Sequence, residues 1–148
     1  MAAAGLEIMV VLLMTLEVLN DHLYILNQLQ AAEERLQSMK AVILGAQRYD
    51  GMPHGHEVSR NSENLAILLE NQVADVNRLE SMVEKSEIEV RRFVDSINDN
   101  RTKVIFNLRF LCGLPWDDVA HTIGGGNTSD TVRMTAYRYL QTPQAVSF

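Results

Sequence analysis

The chain contains 148 residues, with 13 basic and 19 acidic side chains and a formal net charge of −6 at pH 7. This length suits one domain, or one small domain with an extended helical arm, and excludes two full-sized globular domains. Net acidity disfavours a nucleic-acid partner, because lysine and arginine supply most of the non-specific affinity for phosphates. However, residues 1–98 contain 8 basic and 15 acidic side chains, whereas residues 99–148 contain 5 and 4. The acidity therefore belongs to the first two thirds of the chain.

The first residues and the single cysteine bear on the cellular compartment. Ile8 to Met14 is an uninterrupted apolar run, but it is shorter than the roughly 18 residues of a membrane span, and no lysine or arginine precedes it as in a secretion signal. Met14 is an alternative start, with residues 1–13 as an upstream extension. Cys112 is the only cysteine, which excludes an intrachain disulfide, and its apolar neighbours predict a small buried residue, not a reactive thiol. We expect a cytoplasmic protein.

Residues 1–47 predict an N-terminal amphipathic helix. No glycine or proline interrupts the chain from Leu12 to about Gly45. Within this stretch, leucines recur mainly at steps of three and four residues, which is the spacing of one helix face. These leucines stand at positions 12, 16, 19, 23, 26, 29 and 36.

Glycines at 51 and 55 and a proline at 53 follow closely on Gly45 and predict a connector over residues 48–61. His54 and His56 form an H-x-H pair in this connector. No cysteine or carboxylate cluster stands nearby to complete a metal site, so we interpret the pair as part of a solvated turn. We expect the chain to bind no metal and no cofactor.

Residues 62–98 show a heptad pattern that predicts a second long helix. Its inward positions are apolar except at Gln72 and Ser86, and charged residues occupy the outer positions. Because the connector is short, the two helices are expected to form an antiparallel hairpin, a coiled-coil arm whose seam could also serve self-association. The apolar inward residues are Leu65, Leu69, Val76, Leu79, Val83, Val90, Phe93 and Ile97.

Residues 99–141 predict three short helices, and residues 142–148 a tail. Asn98 and Asp99 are helix-stopping or N-capping residues, Gly113 suits a left-handed C-terminal cap, and Pro115 suits the first turn of the next helix. Asp117 and Asp118 complement the dipole of that helix, so a catalytic carboxylate pair is not inferred and no enzyme is expected. The apolar residues at helical spacing are Val104, Ile105, Leu108, Leu111 and Cys112 in the first helix, and Trp116, Val119, Ala120 and Ile123 in the second.

Three consecutive glycines at 124–126 end the second helix, and the polar residues 127–129 cap a final helix through Leu140. The lysine of a Walker phosphate-binding loop is absent, and a helix precedes the glycines where that loop needs a strand. A short helix, a glycine turn and a second helix of about a dozen residues instead predict a helix-turn-helix, in which Ala120 allows close helix approach.

The last helix is the expected recognition helix for DNA. Helical periodicity places Val132, Ala136 and Tyr139 inward and turns the opposite face towards solvent. Among the outward residues, an arginine can donate two bonds to guanine, an aspartate can accept from cytosine, and a methionine can contact the thymine methyl. The predicted base readers are Ser129, Asp130, Arg133 and Met134; Thr128 and Arg138 suit phosphates, and Tyr137 suits either.

A family resemblance supports this interpretation. The segment from Arg101 to Leu140, which contains the string N-L-R-F-L-C-G-L-P-W-D-D-V-A-H-T-I-G-G-G-N-T-S-D-T-V-R-M, resembles region four of bacterial sigma factors. Together with the D-G-M-P-H-G connector and the helical front half, it is also similar to phage and prophage regulators of the RinA/ArpU type. The resemblance implies a transcriptional regulator in a bacterial cytoplasm. Two departures are a turn two residues longer and Pro115 where the motif often has a serine or threonine cap.

Residues 99–141 contain few basic residues, which predicts that one copy binds double-stranded DNA weakly. Either dimerisation through the long helices presents two recognition helices to two half-sites, or RNA polymerase holds the module on a promoter. One alternative is a small terminase-like packaging protein, whose DNA-binding part normally comes first and not last. Another is a helical scaffold or polymerase-binding protein without direct DNA readout.

Overall fold

The structure, a computed structural model, describes the chain over residues 14–47 and 56–142, and the side chains over residues 14–45 and 63–142. The order of elements is α1 (Leu16–Gln47), α2 (His56–Asp95), α3 (Asn100–Phe106), a π-helical segment (Asn107–Leu111), α4 (Trp116–Ile123) and α5 (Ser129–Gln141). No strand occurs in these ranges, and the predicted all-α fold is confirmed. None of the helices so described is long and apolar enough to cross a membrane.

The chain divides into two compact units. One comprises Ile25–Val83 and is called the arm; the other, called the head, combines the start of α1 with the chain from Glu84 onward. The arm is the expected hairpin of two long helices. The head contains the expected helix-turn-helix, built from α3, α4 and α5 and packed with the ends of the long helices that belong to the same unit.

In the arm, α1 and α2 pack through the predicted seam. Ala32, Val76 and Leu79 are buried, with Leu29 and Leu36 packed against them. The polar heptad position at Gln72 also has a structural role, because its Nε2 donates to the Ala32 carbonyl oxygen over 3.0 Å. A side-chain amide that is hydrogen-bonded in this way interrupts the apolar seam without leaving an unsatisfied group.

The boundaries of α2 differ from the expected ones. The connector was predicted over residues 48–61, but α2 begins at His56. Gly55 is the last glycine or proline before the heptads, so nothing in residues 56–61 prevents the helix from starting directly after it. Residues 48–55, with Gly51, Pro53 and His54, lie outside the described part, as do Leu12 and the rest of residues 1–13.

The core of the head is aromatic and joins the helix-turn-helix to the long helices. The Phe106 ring of α3 lies 5.4 Å from that of Phe93 in α2, 5.6 Å from that of Phe110 and 5.7 Å from that of Tyr139 in α5, measured between centroids. Edge-on and tilted contacts at these distances are favourable for aromatic side chains. The other buried residues of this core are Leu19, Leu23, Val90, Val94, Ile97, Ile105, Val119, Ala120, Val132 and Ala136.

The end of the α3 region is π-helical, which sequence periodicity did not predict. The Cys112 amide donates to the Asn107 carbonyl oxygen, five residues back, over 3.0 Å. A π turn takes more residues than an α turn, so residues after it are rotated away from their α-helical phase. Phe110, four residues after Phe106, is fully buried on the same side, whereas Cys112, after the turn, is exposed. The prediction of a buried cysteine was therefore wrong.

Val104 also departs from the expected apolar stripe of this region, because it is exposed. The buried stripe of α3 runs instead through Thr102, Ile105 and Phe106. The N-cap was predicted correctly: the Asp99 carboxylate accepts from the Thr102 hydroxyl over 2.6 Å and from the Thr102 amide over 3.1 Å, and these two bonds lower the pKa of the carboxyl group. Phe106 and Phe110 therefore determine which side of the helix is buried, because each offers more apolar surface to bury than a valine does.

A buried histidine of α1 contacts Ser86, the second polar interruption of the heptads. His22 is almost fully buried in the head, and its Nδ1 lies 2.6 Å from the Ser86 hydroxyl oxygen. The ring also bonds to the Phe110 backbone. Burial lowers the pKa of the ring, although Glu87 and the Phe110 bond act in the opposite direction. The neutral ring therefore connects α1, α2 and the π-helical segment.

This histidine predicts a loss of stability in mild acid. Because the folded-state pKa of His22 lies below its usual value of 6.5, the unfolded chain binds the proton first as the pH falls. The contribution of His22 to the free energy of unfolding is expected to be complete above pH 6.5 and to be lost as the pH falls through the folded-state pKa. Urea unfolding at several pH values between about 7 and 5 measures this decrease. In His22→Asn the decrease over this window is expected to be smaller; an unchanged pH dependence would contradict the assignment.

Candidate nucleic-acid interface

Helix α4 begins without a side-chain cap. Pro115 is the N-cap residue, with φ −58° and ψ 153°, and it makes no capping hydrogen bond. Asp117 and Asp118 lie in the first turn, where their charges stabilise the positive end of the helix dipole. Val119 and Ala120 are buried, and Trp116 and Ile123 pack partly buried against the same core, as expected.

The turn between α4 and α5 depends on glycine. Gly124 has φ 71° and ψ −156°, a backbone region that is essentially restricted to glycine. Gly125 and Gly126 also have positive φ. A side chain then holds the turn, because the Asn127 Nδ2 donates to the Gly124 carbonyl oxygen over 2.6 Å. This geometry ends α4 where the sequence predicted and leads directly into the cap of α5.

Helix α5 begins with a reciprocal cap. The Thr128 hydroxyl accepts from the Thr131 amide over 3.3 Å, and the Thr131 hydroxyl accepts from the Thr128 amide over 2.9 Å. Such a capping box satisfies two backbone donors at the helix start. Thr128, which was predicted to contact phosphate, therefore also has a structural role in fixing the first turn of the expected recognition helix.

The two faces of α5 differ as predicted. Val132 and Ala136 are fully buried, and the Tyr139 ring lies edge-on to Phe93 and Phe106. On the opposite side, side chains remain in solvent along the length of the helix. Of the predicted DNA contacts, Asp130, Met134, Arg138 and the cap residue Thr128 are exposed, and Ser129 and Arg133 are half-buried.

Tyr137 departs from its predicted outward orientation. It is half-buried, and its ring lies edge-on to that of Trp116 in α4, 6.3 Å between centroids. Tyr137 follows Ala136 by one residue, about 100° around the helix, so it stands at the border of the buried face. The large Trp116 ring reaches this border and covers it. The phenol therefore takes part in packing α5 against α4, and contact with DNA through it stays a prediction.

Two of the predicted base readers form an ion pair. The Arg133 Nη2 lies 2.6 Å from the Asp130 Oδ1, and the side chains of the half-buried Arg133 and the exposed Asp130 keep 44% and 76% of their surface in solvent. An exposed pair of this kind contributes about 0–1 kcal/mol to stability. The pair is thus weak enough to open, and the guanidinium lies one turn into the helix, where residues of a recognition helix reach base edges.

Arg109 is a basic residue with a structural role. Its guanidinium lies 4.9 Å from the centre of the Trp116 ring, and its Nη1 donates to the Leu114 carbonyl oxygen over 2.9 Å. Burial lowers the pKa of this side chain. Contacts of this kind hold the segment between the π turn and α4. Of the five basic residues in residues 99–148, Arg109 is therefore the least suited to phosphate binding.

Arg101 is a candidate contact that the sequence analysis missed. It lies exposed in the first turn of α3, and its Nη2 donates to the Asn127 Oδ1 over 2.7 Å, next to the cap of α5. The guanidinium therefore stands beside the start of the expected recognition helix. No local pattern could have shown this, because the two residues are far apart in the sequence and only the packing of α3 against α5 brings them together.

Among the described residues, no group of three or more histidine, cysteine or carboxylate side chains could hold a metal ion. Comparison of the chain with protein-family models, with curated proteins and with solved structures found no significant match in any of the three.

Proposed function

We propose that the chain is a DNA-binding transcriptional regulator of the phage or prophage type, which reads promoter or operator DNA with α5. The observation that carries the proposal is the two-sided character of this helix. One face is fully buried against the head core at Val132 and Ala136, while Arg133, Met134 and Arg138 remain accessible on other sides. The glycine turn and capping box fix the start of the helix. The resemblance to sigma-factor region four supports the same function.

The chemistry of the exposed face suits direct readout in the major groove. Arg133 can donate two bonds to the O6 and N7 of guanine once its ion pair with Asp130 opens. Met134, which is 43% exposed, offers an apolar surface for a thymine methyl. Arg138 lies one turn further along, where a charge suits the phosphate backbone. Arg101, beside the start of α5, is a second candidate for phosphate contact.

The small number of free basic side chains in residues 99–148 limits the affinity of a single copy for DNA. With Arg109 engaged by Trp116, the basic side chains left in residues 99–148 are Arg101, Lys103, Arg133 and Arg138. The negative charge of Asp130 on the same surface further reduces the attraction to phosphates. Since non-specific affinity rises with the number of phosphates neutralised, we propose that a second copy, or RNA polymerase, supplies the remaining binding energy in the bacterial cytoplasm.

Arg138→Ala tests the phosphate contact. The substitution is expected to weaken binding to specific and random duplexes alike, and to reduce the slope of log affinity against log salt by about one unit, because one contact fewer releases about one counterion fewer. Fluorescence anisotropy with labelled duplexes across a salt series measures both effects.

Arg78→Ala is the matched control, since it removes the same charge from an exposed arm residue paired with Asp75. Its salt slope is expected to equal that of the parent. Equal slopes in parent, Arg78→Ala and Arg138→Ala would contradict the phosphate contact. If the parent itself does not bind duplex DNA at low salt, the chain is a helical scaffold. A preference for packaging-initiation fragments over promoter fragments would instead assign it to a terminase-like function.

A further inference from the structure

Asp130 is a negative charge at the start of the helix that is proposed to enter the major groove. It follows Ser129, the first residue of α5, and it is exposed. Its carboxylate reduces the attraction to phosphates at this surface. The capping box of Thr128 and Thr131 already satisfies the helix start, and an exposed charge near the helix dipole or in an exposed ion pair stabilises a helix only modestly. A function in binding therefore explains this side chain better than a structural one.

Asp130 and Arg133 place a hydrogen-bond acceptor directly beside a group of donors. They are three residues apart and so share one face of α5, and the Arg133 Nη2 donates to the Asp130 Oδ1. The guanidinium has five N–H donors, whereas the ionised carboxylate has acceptors only. The outer surface at the start of α5 can therefore present two donors and one acceptor side by side.

A G·C base pair has the complementary row of atoms on its major-groove edge. Guanine offers two acceptors, N7 and O6, and the paired cytosine offers the N4 donor. O6 and N4 are neighbours, since they are hydrogen-bonded to each other within the base pair. When the ion pair of Asp130 and Arg133 opens on this edge, the guanidinium takes both acceptors and the carboxylate takes the donor. Both side chains thus exchange one partner for another at the same place.

An A·T base pair leaves the carboxylate without a donor. Its edge presents an acceptor, a donor and an acceptor, so that thymine O4 stands where a G·C pair has cytosine N4. The carboxylate has no proton to donate to O4, and a charge that loses water without gaining a partner costs free energy. On random DNA, where Arg133 binds a phosphate, Asp130 is likewise left beside negative charge. Asp130 thus penalises wrong sequences more than the right one, which is a common source of specificity.

From these observations we infer that Asp130 is a specificity-determining residue, which reads the cytosine paired with the guanine that Arg133 contacts and rejects thymine in its place. This role rests on the proposed function and deepens it, because two side chains and not Arg133 alone then discriminate at one base pair. It also accounts for an acidic residue on a binding surface that has few free basic ones.

Asp130→Asn tests this role, because an amide can donate to thymine O4 as well as accept from cytosine N4. The probes are the duplex that the parent enriches from a random pool and the same duplex with one G·C base pair changed to A·T. The changed base pair is the one at which Arg133→Ala loses its preference. For the parent, the change is expected to weaken binding about 5- to 150-fold, as for one good base contact. Fluorescence anisotropy at one fixed salt concentration measures both affinities.

For Asp130→Asn, the loss of affinity caused by the A·T change is expected to be at least about fivefold smaller than for the parent. Asp130→Ala, which removes the carboxylate altogether, is expected to reduce the loss in the same way. Asp75→Asn is the matched control, since Asp75 forms the same kind of i,i+3 ion pair with Arg78 in the arm, over 2.7 Å. It is expected to bind both duplexes as the parent does, and circular dichroism must show unchanged helicity in each variant.

The possible results separate the role of Asp130 from the proposed function. If the parent enriches no sequence, the proposed function is wrong and the role of Asp130 with it. If the parent distinguishes the two duplexes and both Asp130 variants distinguish them equally well, direct readout by α5 stands and the role of Asp130 is wrong. An equal gain of affinity for both duplexes in these variants would also overturn it, because the carboxylate would then only repel phosphates.

Discussion

Phe106→Ala is expected to reduce the free energy of unfolding by about 3–5 kcal/mol, the usual cost of removing a buried phenylalanine. The ring is fully buried and contacts Phe93, Phe110 and Tyr139, so its loss leaves a cavity shared by α2, α3 and α5. Since whole domains are stable by only about 5–15 kcal/mol, this one change removes a large part of the stability. Urea unfolding followed by circular dichroism measures it.

Val104→Ala is the control on the same helix. Val104 is 46% exposed, and substitutions at such positions usually change stability by about 0.5 kcal/mol or less. Phe106→Leu, which keeps most of the volume, is expected to fall between the two. If Phe106→Ala cost no more than Val104→Ala, the aromatic core would not be what positions α5, and the geometry of the head would need revision.

Arg133→Ala is expected to lose about 1–3 kcal/mol of affinity for the specific site, about 5- to 150-fold, while affinity for random duplex changes far less. A guanidinium bonded to a base edge discriminates between sequences, whereas one bonded to phosphate does not. Removing Arg133 also frees Asp130, its ion-pair partner. Anisotropy with the selected site and with random duplex measures the two affinities, at one fixed salt concentration.

Arg138→Ala provides the contrast, because it removes the same charge from the same helix and is expected to weaken both complexes alike. Circular dichroism must show unchanged helicity in each variant, so that lost binding does not reflect lost folding. Equal losses on specific and random DNA in Arg133→Ala would reassign this residue to the phosphate backbone. If neither variant loses affinity for DNA, the assignment of α5 to the major groove is wrong.

Local pattern was sufficient to predict the helices themselves and some of their ends. Heptad spacing placed Val76, Val90 and Phe93 inward, and the structure buries all three. Capping residues marked helix starts at Asp99 and Thr128, where the structure shows the expected hydrogen bonds. These features depend on a few neighbouring residues and on the periodicity of the helix, and a sequence displays both directly.

Features that depend on distant contacts were not predictable. The π turn at residues 107–111 has no sequence pattern of its own, and it placed Cys112 in solvent instead of the core. The contact of Tyr137 with Trp116 and the bond from Arg101 to Asn127 each join side chains of different helices. Helical periodicity gives the direction of a side chain but not which neighbour occupies that direction.

Selection from a pool of random duplexes tests the central claim most directly, because it measures sequence readout by the unmodified full chain. After several rounds at moderate salt, the parent is expected to enrich a defined sequence that contains a guanine, and Arg133→Ala is expected to lose the preference at that guanine while keeping the flanking ones. The selection is carried out under conditions where the chain is folded and binds DNA. If the pool selected by the parent stays random, sequence-specific recognition by α5 is contradicted.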